Sequence, residues 1–275
     1  MTFAVDRLSI NEITTYRWTF EEDVQRYVAA GIPAIGVWRQ KLSDFGEEKG
    51  VELVREQGLH VSSLLWAGGF TGSEGRTHDE SIEDAQDAIR LADQLGADCL
   101  VIYTGARGGH TYNHARRLTV SALQKLASQA ADANVVLAVE PMHVGCASEW
   151  TYLTSLDDAL EMLDSVGSPA VKIVFDTYHL GHCQKTLGRV TEVAPKTAIV
   201  HLGDAKAPPS GEQDRCRLGE GVLPLKQILA DFAAGGYTGW LDVELLGEEF
   251  ESQDYEELIN HSKSTVAELV SAATA

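Results

Sequence analysis

The feature that most limits what this chain can fold into is an alternation. Short apolar runs of strand type trade places with amphipathic stretches of helical period along the whole sequence. LSINEI (8–13) leads to EEDVQRYVAA, where Val24, Tyr27 and Val28 share one helical face. IPAIGVW (32–38) leads to a helix expected to stop at Gly58, since glycine suits a left-handed helix end. LHVSSLLW (59–66) precedes SIEDAQDAIRLADQLG, for which Ser81 is the expected N-cap. ADCLVIY (97–103) precedes a helix from Asn113 to Ala133, and VVLAVE (135–140) precedes LDDALEML. VKIVFD (171–176) precedes a weaker helical stretch, 184–193, and TAIVHL (197–202) precedes PLKQILADFAAGG. GWLDVELL (239–246) precedes the last helix, 254–271.

Strands that alternate with helices pair in parallel, and eight such units in 275 residues imply a closed (β/α)8 barrel, the TIM-barrel class of α/β fold. No linker or low-complexity break divides them, so residues 1–275 are expected to form a single domain. The open doubly wound alternative needs a glycine-rich phosphate turn after the first strand, and none is present. No run approaches the ~20 apolar residues that span a bilayer. The opening MTFAVDRLSINEITTYR lacks a basic segment leading into an apolar one, so no membrane association and a cytoplasmic location are expected. Cys99, Cys146, Cys183 and Cys216 lie far apart, as free thiols in a reducing compartment would. The net charge of −19 repels phosphate backbones and argues against a nucleic-acid partner.

In a barrel of this class, chemistry gathers at the C-terminal ends of the strands. The fifth strand run ends on Glu140 and the sixth on Asp176; the seventh carries His201 near its end, and the eighth Glu244. Alternate strand residues face the same way. Ala138 therefore shares a face with Glu140, Val174 with Asp176, Ile199 with His201, and Asp242 with Glu244. On that parity all four groups converge at one mouth. Three carboxylates and an imidazole crowded there would repel one another, and one divalent cation would relieve them. Three oxygens and one nitrogen suit manganese, magnesium, cobalt or zinc.

VEP (139–141), FDTYH (175–179), VHLGD (200–204), DR..LGEG (214–221) and VELL (243–246), taken in order, resemble the xylose isomerase-like TIM barrel family. The likeness is to its sugar (phosphate) isomerase/epimerase branch, which includes ketose 3-epimerases and inosose isomerases and dehydratases. The resemblance implies that Glu140, Asp176, His201 and Glu244 hold the metal and that Glu140 and Glu244 are also the catalytic acid–base pair. It implies substrate-oxygen contacts from His179 and Arg215. The expected function is that of a metal-dependent sugar or cyclic-polyol isomerase or epimerase. It would move a proton α to a carbonyl through a metal-stabilised ene-diolate. A dehydratase of a keto-polyol is the alternative, decided by a second acid among His110, His143 and His182. The resemblance leaves room for a homo-oligomer.

The sequence departs from the family pattern at EPMH, which places His143 in the loop after strand five, and at Leu218, where relatives often have proline. Cys216 and Arg217 fall where that loop would meet the substrate. His143 and Trp66 are further candidate substrate contacts, and Trp38 another ring at a strand end. A non-catalytic sugar-binding barrel is disfavoured by the intact set of four. An endonuclease IV-like reading shares D-x-x-H but needs histidines at the ends of strands three and four; Leu65–Trp66 and Tyr103–Thr104 stand there, and Cys216 follows Arg215.

Overall fold

A computed structural model describes residues 5–273. Eight strands close into a parallel barrel: β1 (Leu8–Asn11), β2 (Ala34–Trp38), β3 (His60–Gly68), β4 (Cys99–Tyr103), β5 (Val136–Val139), β6 (Val171–Asp176), β7 (Thr197–Leu202) and β8 (Leu241–Val243). Each pairs with its neighbours in chain order, and β1 pairs with β8 to close the ring. The outer layer holds α1 (Phe20–Ala29), α2 (Glu47–Gln57), α3 (His78–Leu95), α4 (Tyr112–Asp132), α5 (Leu156–Val166), α6 (Leu225–Ala234) and α7 (Tyr255–Ala273). No helix among the described residues is long and apolar enough to cross a membrane.

The period-two pattern sorts the core into two layers. Ala34, Leu65, Cys99, Val101, Ala138, Val174, Ile199 and Trp240 form the cluster inside the barrel. Their strand neighbours Ile173, Phe175, Val200, Leu202 and Val243 belong to the larger cluster between sheet and helices. A charged side chain placed on inner parity at a strand's C-terminal end is thereby lifted above the inner layer, into the mouth. Gly36 on β2, two strands from β8 around the ring, serves the same arrangement, because a Cβ there would lie 2.8 Å from the Asp242 carboxylate.

Three local expectations change. The N-cap of α3 is Thr77, not Ser81. The Thr77 hydroxyl accepts the Glu80 N–H at 3.2 Å, and the Glu80 carboxylate accepts the Thr77 N–H at 2.7 Å. Ser81 lies within the first turn, buried, and donates to the Gly69 carbonyl. The stretch at 184–193 is not one helix but two single turns, Gln184–Leu187 and Val190–Val193, behind another at Thr177–Leu180. Gly181 is the C-cap of the turn Thr177–Leu180, and Gly188 that of Gln184–Leu187. Finally, β5 stops one residue before Glu140 and β8 one before Glu244. Their N–H groups still donate to Ile102 O and Leu202 O, both at 3.0 Å, so strand parity carries through. Gly58 does end α2 in the left-handed conformation, φ 67°.

Candidate metal centre and substrate site

Register brings the four groups together. Asp176 on β6 is paired with His201 on β7, which is paired in turn with Asp242 on β8. Glu140 and Glu244 follow their strands by one residue on the same inner parity. One ligand atom from each of Glu140, Asp176, His201 and Glu244 lies within 4.8 Å of the others, and all four residues are buried. The convergence expected from alternation is therefore present.

His201 Nδ1 lies 2.7 Å from Glu244 Oε2 and 3.3 Å from Glu140 Oε1. Burial opposes charge on His201, but Glu244 and Glu140 outweigh it and hold the imidazole well above its usual pKa. Burial pushes Glu140 up to about 7 despite His201. It also acts on Glu244, but His201 and Arg215 reverse it and draw that carboxyl down to about 2. Burial raises Asp176 too, against the pull of Arg215. Burial and the neighbouring charges thus shift the two glutamates in opposite directions.

Both ring nitrogens of His201, and Glu244 Oε2, are buried without a hydrogen bond of good geometry. Short approaches that form no hydrogen bond fit donors aimed at a common point. Three hard oxygens and an imidazole nitrogen match the donor set of a divalent cation, so these residues fit the metal that the sequence implied.

Around them stands a supporting layer. Asp242 Oδ2 lies 3.7 Å from His201 Nε2 and accepts a 3.0 Å bond from Asn11 Nδ2. Asp176 Oδ1 caps the turn Thr177–Leu180 by accepting the Tyr178 N–H at 2.6 Å. That turn carries His179 back over Asp176, its Nε2 3.6 Å from Asp176 Oδ2. Arg215, in a two-stranded ribbon of Asp204–Ala205 and Arg215–Cys216, donates to Asp176 Oδ2 at 3.0 Å and lies 3.6 Å from Glu244. Its guanidinium stacks over the Tyr178 ring, 4.1 Å from the centroid.

Trp66 packs against the inner barrel cluster and forms an aromatic chain with Trp38 and Trp150, ring centroids 6.4 and 5.9 Å away. His143 turns into its own loop, where Nδ1 accepts the Gly145 N–H at 3.1 Å, and it is not among the four grouped ligands. Arg217 points outward to Gln253 and Glu257. Cys216 is buried in the ribbon opposite Asp204. The sequence placed both where this loop would meet the substrate; Arg217 is instead engaged by Gln253 and Glu257, and it is Arg215 that reaches Asp176. His110 bonds the Thr71 carbonyl and stacks on His114.

Sequence reasoning gave no role to Asp242 and did not single out Glu212. Asp242 was findable, standing two residues before Glu244 on the same parity. Glu212 was not, since it lies in a loop with no periodicity to orient it.

Residues 24–265 match the model of the family described as xylose isomerase-like TIM barrel. An inosose isomerase of Halalkalibacterium halodurans is 28% identical over 161 residues, covering 57% of this chain and 55% of that protein. The match thus spans about half of that relative's length. A hydroxypyruvate isomerase of Escherichia coli is 29% identical over 187 residues, 65% of this chain and 68% of that protein. A crystal structure of IOLI protein with a zinc atom is similar in fold, with a TM-score of 0.84, 22% identity and coverage of 96% and 98%.

Proposed function

The chain belongs to the xylose isomerase-like TIM barrel family, and on that basis we propose that it is an isomerase or epimerase of a sugar or cyclic polyol. The observation that carries the reading is the buried group of Glu140, Asp176, His201 and Glu244, whose ligand atoms all lie within 4.8 Å of one another. These four residues would hold one divalent ion, whose Lewis acidity stabilises negative charge on neighbouring substrate oxygens. Manganese, magnesium, cobalt and zinc all suit the donors.

Glu140 and Glu244 form the acid–base pair that removes a proton beside the carbonyl and returns one. Arg215 stays charged at every working pH and fixes Asp176 and Glu244 while offering its edge to substrate oxygen. Burial draws His179 down to about 3, so it serves as a neutral hydrogen-bonding group. Trp66 supplies a ring face for the carbon skeleton, and His143 is kept as a proposed contact at the rim. With no histidine from Leu65–Trp66 or Tyr103–Thr104 and a −19 charge, a small molecule is the better partner than nucleic acid.

The test is incubation with ketoses and inososes in deuterated water with manganese. Deuterium is expected at the carbon α to the carbonyl; no exchange from any candidate with metal bound would overturn the reading. Glu244→Gln is expected to reduce exchange at least a thousandfold, and near-normal exchange would remove Glu244 from the acid–base pair.

A further inference from the structure

A second corner of the mouth shares only His179 with this chemistry. Ligand atoms of Cys146, His179 and Glu212 also lie within 4.8 Å of one another. Glu212 comes from the loop before Arg215. Its Oε2 accepts from Arg215 Nη1 at 2.8 Å, while its Oε1 is buried and has no hydrogen-bond partner. His179, whose side chain is 1% exposed, also leaves Nδ1 unpartnered, and its Nε2 stands 3.8 Å from Glu212 Oε1. That separation is too long for a hydrogen bond. A buried acceptor and a buried ring face one another without bonding, beside the proposed metal ligands.

A second cation is the wrong occupant. Arg215 already brings a full positive charge to Glu212 and Asp176. The Cys146 thiol, pushed up to about 12 by burial and by Glu212, stays protonated and is a poor ligand in that state. A phosphate or carboxylate would meet Glu212 with like charge. A hydroxyl beside Glu212 Oε1 and His179 Nε2, which stand 3.8 Å apart, can donate to the carboxylate and accept from the ring when that nitrogen carries the proton.

We propose that Glu212 Oε1 accepts a hydrogen bond from a substrate hydroxyl held also by His179, and that this corner selects a neutral polyol rather than a phosphorylated or acidic substrate. The inference rests on the proposed isomerase reading and adds the substrate class.

The experiment is calorimetric binding to the manganese-loaded full chain. The probes are the ketose or inosose that binds best, a set of its monodeoxy analogues and its phosphate ester. For the unaltered protein, one deoxy analogue is expected to bind at least tenfold more weakly than the parent, and the phosphate ester more weakly still. In Glu212→Gln the parent should weaken to the level of that analogue, closing the ratio to within about twofold, and the phosphate penalty should shrink. A ratio that persists in the variant, or equal weakening of every ligand as expected if Glu212 only steadies Arg215, would overturn the proposal. Glu212→Asp provides a second charged variant should the glutamine form not fold; it should keep the phosphate penalty while losing the hydroxyl preference. If the unaltered protein binds no polyol at all, the isomerase reading falls first and this inference with it.

Discussion

Asp242 shows how a residue outside the ligand set can tune it. Its carboxylate faces His201 Nε2 at 3.7 Å, is tied down by Asn11, and fits only because Gly36 lacks a side chain. Partners of this kind orient a ligating histidine and raise its basicity, and their loss costs ~10–100-fold in metal affinity. Asp242→Asn should therefore weaken manganese binding by about that factor, seen by titration, with circular dichroism unchanged. Affinity within twofold of the parent would assign Asp242 a packing role only. At this scale the sequence was most legible where parity applied: Glu140, Asp176, His201 and Glu244 each stand on the inner face that alternation assigns. It was least legible in loops, as the inward turn of Glu212 and the outward turn of Arg217 show.

At the scale of elements, hydrophobic runs located every barrel strand and long helix, but termini depended on competing polar side chains. Thr77 and Ser81 are both good N-caps, and both precede an acidic residue and an apolar stretch. Thr77 wins because Glu80 reciprocates, with its carboxylate on the Thr77 N–H. Thr77→Ala should cost ~1 kcal/mol in urea unfolding with the slope unchanged. An effect within error would mean that α3 is held by its packing alone. The turn at Thr177–Leu180 is more consequential than its length suggests. Asp176 uses one oxygen to cap it and presents the other to Arg215, so a single carboxylate couples strand end, helix start and site.

For the whole molecule, burial of the site couples its protonation to the stability of the barrel. Without a metal, Glu140 pushed up to about 7 and His201 held above its usual value both bind protons more tightly folded than unfolded. The sign follows by linkage: a raised folded pKa contributes stability at low pH that is lost as pH rises. Between about pH 6.5 and 8, above the titrations of His179 and Asp242, the metal-free protein should lose stability as pH rises. Metal binding must displace those protons and so strengthens over the same window. The gap in melting temperature with and without manganese should therefore widen from pH 6.5 to 8. A gap that is constant or narrows would show that the four groups do not take up the ion together.

The sequence by itself determined the eight barrel strands and the long helices between them, the closed barrel they imply, and which strand ends carry reactive groups. These follow from periodicity, a local property that each segment expresses alone. Only the tertiary structure decided how far apart those groups stand and which proton affinities result. It also decided that Asp242 backs His201, and that a loop glutamate meets His179 across a gap. Distances between strands depend on barrel closure and register, and the burial that shifts each pKa is a property of the assembled mouth. No single segment contains either.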